Sequence, residues 1–114
     1  MTDEAQIEVE RSDHGGIPVL RVRGEIDVAS APQFRAPVLD LMSQPSDTLI
    51  VDMSDVTFID STGLGVLLDA EKRSRAAGKS LRLVVTQPHV RRLLELTGLD
   101  EVLNVVASAS EPTR

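Results

Sequence analysis

The sharpest constraint on the fold is a change of pattern around residue 60. Thr48 to Met53 is a nearly continuous apolar run, partly β-branched, the pattern of a strand buried on both faces. Ser54 to Ile59 leads from it into Asp60-Ser61-Thr62-Gly63-Leu64-Gly65. From about Thr62 to Ala77 the apolar residues return at helical spacing, with Leu64, Leu67 and Leu68 as the inner stripe. A strand, a tight turn and a helix in succession call for a strand–helix unit, and such units set strands side by side in parallel. The first turn of that helix offers unpaired N–H groups and a partial positive charge. A hydroxyl placed there, beside glycines that admit close approach, is a candidate site of chemistry. Capping the helix is the plainest role for Ser61, and Asp60 and Thr62 are equally able to fill it.

The rest of the chain extends this unit. Gln6 to Glu10 alternates polar and apolar residues, and so does the stretch carrying Leu20, Val22, Gly24 and Ile26 on one face with Arg21, Arg23, Glu25 and Asp27 on the other. The two segments predict a β-hairpin across a five-residue connection, Ser12 to Gly16. Ser30-Ala31-Pro32-Gln33 signals a helix start, with Phe34, Val38, Leu41 and Met42 inward. Pro37 predicts a kink in that helix or a break into two pieces. Asp69 with Arg73 and Glu71 with Arg75 form acid-first pairs on a solvated helix face, and Gly78 is a plausible C-cap. Leu81 to Val85 predicts a strand. Pro88 opens a helix with Val90, Leu93, Leu94 and Thr97 inward and Arg91 and Arg92 outward; Gly98 closes it, and Leu103 to Val106 is a last short strand. The order is β-β-α-β-α-β-α-β, an α/β fold with a mixed, mostly parallel sheet. One domain over 1–114 is expected, with an ordered core at about 5–106 and a loose tail at 107–114.

Composition excludes several functions. The 114 residues include no cysteine, so disulfides, thiol catalysis and cysteine zinc sites are out. A net charge of −6 argues against nucleic acid as partner. The acidic Met1-Thr2-Asp3-Glu4 start does not resemble a signal peptide, and no apolar run is long enough for a membrane span, so a cytoplasmic protein is expected. His14 and His89 stand in a turn and at a different helix start, and no G-x-S-x-G elbow surrounds Ser61, which leaves a serine hydrolase without its base. Gly63-Leu64-Gly65 lacks both the Walker lysine, since Val66 follows Gly65, and the third Rossmann glycine, since position 68 is Leu. Asp52, Asp55 and Asp60 have no diagnostic metal-ligand spacing. No enzyme activity, cofactor or metal is expected.

Three segments carry a family resemblance: Gly24-Glu25-Ile26-Asp27 with Ser30-Ala31-Pro32; Val51-Asp52-Met53 through Phe58-Ile59-Asp60-Ser61-Thr62-Gly63-Leu64-Gly65-Val66-Leu67-Leu68; and Pro88, Val90, Arg92, Leu93 with Thr97-Gly98-Leu99. On these residues the chain resembles the anti-sigma factor antagonists of the STAS-domain family. The resemblance implies a small α/β domain with helices largely on one side of the sheet and a final helix that is short or absent here. It implies phosphorylation at Ser61, with Asp27 and Asp60 nearby, and a partner-binding set of Asp27, Asp60, Ser61, Thr62, Gly63, Leu64 and Gly65. The implied partners are an anti-sigma factor that is also a serine kinase, and a phosphatase of the PP2C type. The unphosphorylated form would bind the anti-sigma factor and free the sigma factor. Two other roles fit the same fold: a STAS subunit of a transporter complex that docks on an ATPase, and a nucleotide-binding sensor module.

Overall fold

A computed structural model describes residues 6–111. The element order is β1 (Ile7–His14), β2 (Ile17–Ile26), α1 (Ala31–Met42), β3 (Thr48–Ile59), α2 (Ser61–Ala76), β4 (Ser80–Val84), α3 (Pro88–Leu96), a short 3-10 turn (Leu99–Glu101) and β5 (Asn104–Val106). The strands form one sheet in sequence order, β1-β2-β3-β4-β5. Only the first pair is antiparallel; β2 to β5 run parallel. This is the mixed, mostly parallel sheet that the strand–helix alternation requires.

Alternation along the strands separates the two faces of the sheet. Leu20, Leu49, Val51 and Leu83 turn to the side where Phe34, Val38 and Leu41 of α1, Leu64 and Leu67 of α2, and Val90 and Leu94 of α3 complete the main core. Their neighbours Val19, Ile50 and Val84 turn to the other side, where with Val106 they form a second, smaller cluster that contains no helix residue. All three helices therefore cover one face. With two Phe and no Trp or Tyr in the chain, the core is aliphatic apart from Phe34.

Several boundaries differ from the sequence expectation. The hairpin connection is two residues rather than five, because the ladder continues to the pair His14↔Ile17. Gly15 and Gly16 both take positive φ, 59° and 90°, the geometry of a two-residue turn that matches strand twist, and Asp13 accepts the Gly16 N–H at 2.9 Å. Strand β3 runs six residues past Met53, to Ile59. Two register shifts against β2 absorb its extra length as bulges, and Asp52 braces the first by accepting the Ser54 N–H and hydroxyl.

Pro37 does not divide α1, which is one helix over Ala31–Met42. An interior proline costs about 3 kcal/mol, but Phe34, Val38 and Leu41 are fully buried on either side of it. At about 1.5–3 kcal/mol for each such side chain, burial outweighs the lost hydrogen bond. The Lys79 ammonium also donates to the carbonyls of Met42 and Gln44 at the C-terminal end of α1, where a cation is favoured.

The end of α2 follows expectation: Gly78 N–H donates to Arg75 O and Lys79 N–H to Ser74 O, the Schellman pattern. Both acid-first pairs on α2 form, Arg73 to Asp69 and Arg75 to Glu71, each at 2.7 Å. In α3, Thr97 is exposed rather than inward, because its hydroxyl donates to Leu93 O and Leu94 O at the helix end. Arg91 is half-buried rather than outward and donates to Val85 O at 2.8 Å.

No helix follows β5 among the described residues. Residues 107–111 make contacts with the body of the domain and with one another. Arg82 donates to Ala109 O at 3.1 Å, Ala107 N–H donates to Glu111, and Ala109 packs on the second cluster. A short polar segment has covered the small apolar patch that the helices leave open. Residues 112–114 of the expected tail, and residue 5 of the expected core, lie outside the described residues.

Helix α2 approaches the sheet unusually closely at Gly63. A Cβ built there would lie 2.6 Å from Ile26 Cγ2 and 2.7 Å from Ile59 Cγ1, closer than real side chains tolerate. Gly63→Ala is expected to destabilise the domain by about 1–3 kcal/mol through overpacking. Thermal unfolding followed by far-ultraviolet circular dichroism will show it as a lowered Tm.

Candidate functional site

The candidate site lies where the carboxyl ends of β2 and β3 meet the start of α2. Ile26 pairs with Ile59 in the parallel ladder. One residue further along each strand stand Asp27 and Asp60, so the two acids expected together are neighbours across the sheet end. The Asp60 N–H donates to Ile26 O at 3.1 Å and fastens the two strand exits to each other.

Asp60 is the cap of α2. Its backbone is extended, and its Oδ1 accepts the N–H groups of Thr62 at 2.9 Å and Gly63 at 3.3 Å. Its carbonyl accepts the Leu64 N–H at 3.0 Å. Of the three cap candidates, the carboxylate wins because it reaches two donors at once and carries a charge that the helix dipole favours. Ser61 is thereby released from capping. It is the first residue of the helix and is exposed, and its hydroxyl has no hydrogen-bond partner among the described residues.

Asp27 organises the neighbouring loop. Its Oδ1 accepts the N–H groups of Ala29 at 2.9 Å and Ser30 at 3.1 Å, and its own carbonyl accepts the Ala31 N–H that begins α1. Ser30 does not cap α1 with its side chain. The buried hydroxyl instead donates to Glu25 O at 2.8 Å and accepts the Asp27 N–H. Gln6 reaches the other carboxylate oxygen of Asp27, Oδ2, at 3.2 Å. The Ser30 N–H is the main cause that holds the Asp27 carboxyl below its ordinary value of 3.8; partial desolvation opposes it, and the Ala29 N–H, the Gln6 amide and the Ser30 hydroxyl add to the lowering.

The remaining expected site residues divide by burial. Thr62 is half-buried and Gly65 is exposed, while Gly63 and Leu64 are buried. Leu64, 7% exposed, belongs to the main core. Gly63 and Leu64 therefore seat the helix on the core. Gly63 and Gly65 also lie inside α2 rather than in a loop. The N–H groups of Thr62, Gly63 and Leu64 are already taken by Asp60 and are not open to a phosphate.

The other acids grouped near this stretch have separate duties. Asp52 braces a bulge, and Asp55 pairs with Arg21 at 3.1 Å. Among the described residues no group of three His, Asp or Glu is arranged to hold a metal ion. His89 is exposed and sets its Nε2 against the Thr57 carbonyl.

Sequence reasoning missed three residues at this end of the sheet. Gln6 gave no signal, since its contact with Asp27 spans 21 positions. Val28 and Phe58 are 72% and 45% exposed; an apolar side chain in a loop or late in a strand is normally read as core.

A STAS domain family model matches residues 7–111. The chain belongs to the STAS domain family. Among curated relatives, the anti-sigma-B factor antagonist of Bacillus subtilis (strain 168) is 37% identical over 90 residues, covering 79% of this chain and 82% of the relative. The protein of the same description from Listeria monocytogenes is 32% identical over 99 residues, covering 87% and 86%. Among solved structures, an anti-sigma factor antagonist from Mycobacterium paratuberculosis superposes with a TM-score of 0.83 at 28% identity, covering 96% of this chain and 92% of that one. The STAS match runs through β5 and the segment after it.

Two outcomes test this geometry. Asp60→Ala removes the cap of α2 and is expected to cost about 1 kcal/mol, measured as a lower midpoint in urea unfolding. The Asp27 carboxyl, lowered in the folded state, contributes stability at pH values above its unfolded pKa and loses it as pH falls through the folded value. Stability should therefore decline below pH 3.8, the ordinary value for the group. Asp27→Asn should flatten that part of the acid limb in a pH series of unfolding curves.

Proposed function

We infer that this STAS domain is an anti-sigma factor antagonist switched by phosphorylation at Ser61. One observation carries the reading: of the two hydroxyl residues in the Asp60–Gly65 turn, Ser61 is exposed and Thr62 half-buried, and the Asp60 cap leaves the Ser61 hydroxyl without a partner among the described residues. The names of the curated relatives support the partner class. The protein acts by binding, as a cytoplasmic regulator, and catalyses nothing itself. Among the described residues no helix is long and apolar enough to cross a membrane.

In the unphosphorylated state the start of α2 presents a small neutral hydroxyl between Asp27, Asp60 and Thr62. An anti-sigma factor docks on this surface and releases its sigma factor. The same partner, a serine kinase, brings the nucleotide and transfers a phosphoryl group to the Ser61 oxygen, which loses its proton. A phosphatase of the PP2C type returns the serine.

The phosphate changes docking through charge. It adds roughly −1.5 to −2 at neutral pH. Residues 24–34 and 54–71 contain no Lys or Arg, so no cation within those segments offsets the added charge. The Thr62 and Gly63 N–H groups, which would otherwise receive an anion, already bond to Asp60. The phosphate therefore projects outward beside two carboxylates. It leaves the core untouched, because Ser61 is exposed, and it alters the surface that a partner meets.

Incubation with the cognate kinase and ATP, followed by peptide mass mapping, should place the phosphate on Ser61. Phosphate on another residue, or none in the presence of an active kinase, overturns the reading. Ser61→Ala should bind the anti-sigma factor about as well as the wild type, and Ser61→Glu at least about tenfold more weakly, a loss of about 1.4 kcal/mol. Calorimetry suits the measurement, since the chain has no Trp or Tyr to report binding.

A further inference from the structure

Strand β3 outruns one of its neighbours. β4 pairs with it from Thr48↔Ser80 to Asp52↔Val84, and β3 then continues to Ile59 with β2 as its strand partner. Both register shifts fall in this outer part. The first lies between the pairs Arg21↔Asp52 and Arg23↔Asp55. The second lies between Gly24↔Val56 and Glu25↔Phe58, so Thr57 is the extra residue of that bulge. The extra residue of a bulge stands outside the ladder, and its carbonyl needs a partner from elsewhere.

The segment that leads into α3 supplies partners at both bulges. Thr86 Oγ1 and Gln87 Nε2 donate to Ser54 O at 3.5 and 3.3 Å, and His89 Nε2 meets Thr57 O. Gln87 occupies the N-cap position of α3 yet makes no cap bond with its side chain; its amide serves β3 instead. A carbonyl oxygen only accepts, so Nε2 of His89 carries the hydrogen. His89 lies in the first turn of α3, where the helix dipole favours a neutral ring.

This part of β3 leads straight to the Ser61 turn. Thr57 is held from both sides, since its hydroxyl donates to Gly24 O of β2 at 3.4 Å. Two residues further on, Ile59 pairs with Ile26, and Gly63 has no spare room against either side chain. A displacement of Ile59 therefore moves the first turn of α2, and Ser61 with it, because close-packed contacts transmit strain.

We propose that Thr86, Gln87 and His89 clamp the bulged end of β3, and that His89 is a positioning residue for Ser61. This rests on the reading of Ser61 as the phosphoacceptor and adds a residue of α3 to its support. His89 acts through Thr57, Ile59 and Gly63 and makes no bond to the hydroxyl itself. Phosphoryl transfer depends on the alignment of the acceptor oxygen, so a small displacement slows the chemical step more than it weakens docking.

The experiment compares the wild type with His89→Leu, which lacks a donor, and His89→Gln, whose amide can donate to Thr57 O. His14→Leu is the control, since His14 is exposed at the other end of the hairpin. Each protein is melted, its amide exchange is mapped, and its phosphorylation by the purified kinase and ATP is followed over a range of its own concentration. His89→Leu should lower kcat about three- to tenfold, the scale of one hydrogen bond, with KM within about twofold of the wild type. Amides of residues 58–64 should exchange several-fold faster. His89→Gln should restore both readouts to within about twofold, and His14→Leu should change neither. Gln87→Leu removes the other arm and should act in the same direction as His89→Leu, which gives a second reading if His89→Leu does not fold. Wild-type kcat in a folded His89→Leu, or a His89→Gln as slow as His89→Leu, would overturn the positioning role and leave Ser61 as the acceptor. A rise in KM alone would also overturn it, because that outcome makes His89 a docking contact. Unchanged exchange at residues 58–64 would overturn the clamp. A wild type that an active kinase leaves unphosphorylated at Ser61 would overturn the acceptor reading and the positioning role with it.

Discussion

Asp60 is the residue on which the rest of this end of the molecule depends. Its N–H bonds to Ile26 O and joins β2 to β3 at their exits, its carbonyl receives the Leu64 N–H, and its carboxylate receives those of Thr62 and Gly63. One residue thus closes the sheet end, starts the helix and engages the N–H groups of Thr62, Gly63 and Leu64. Everything that distinguishes Ser61 follows from this. A serine that capped the helix would have its oxygen engaged and turned inward; with Asp60 as cap, the serine moves to the first helical position and its hydroxyl faces solvent.

The same arrangement sets limits on the chemistry. A helix start with free N–H groups would attract an anion and hold it. Here the anion is already present, as a side chain of the protein. One strand away, Asp27 uses its carboxylate on Ala29 and Ser30 to hold the loop that precedes α1. The start of α2 is closed by its own acid and leaves Ser61 exposed beside it. The two glycines divide the labour between fold and surface. Gly63 lets the helix settle against Ile26 and Ile59, while Gly65 leaves the opposite side of the helix bare.

Much of the fold was legible because it rests on local pattern. The period of apolar residues changed from two to about 3.6 at the strand–helix boundaries, and Gly78 and Gly98 marked helix ends. What pattern did not reveal was the outcome of competition between local preference and packing. Pro37 is a helix breaker by itself, yet α1 continues through it because Phe34, Val38 and Leu41 are buried together. Strand β3 looked finished at Met53, yet two bulges carry it to Ile59. Thr97 had helical spacing toward the core, yet its hydroxyl turned to the helix-end carbonyls. At the site, the turn and its acids could be read from the residues, but Gln6 and the exposed Val28 and Phe58 could not. Their positions come from contacts between segments distant in the chain.

By itself the sequence determined the class of fold, the place of the strand–turn–helix and the small set of residues able to act there. Composition excluded thiol and disulfide chemistry, and the motifs for nucleotide binding and hydrolysis were incomplete. These conclusions need only residue types and their spacing. Tertiary structure decided which of three adjacent polar residues caps the helix and which stands free. It also decided that Gly63 and Leu64 face the core while Gly65 faces solvent. Those choices depend on how closely α2 approaches Ile26 and Ile59, a distance set by two strands and a helix together, and no local stretch of sequence carries it.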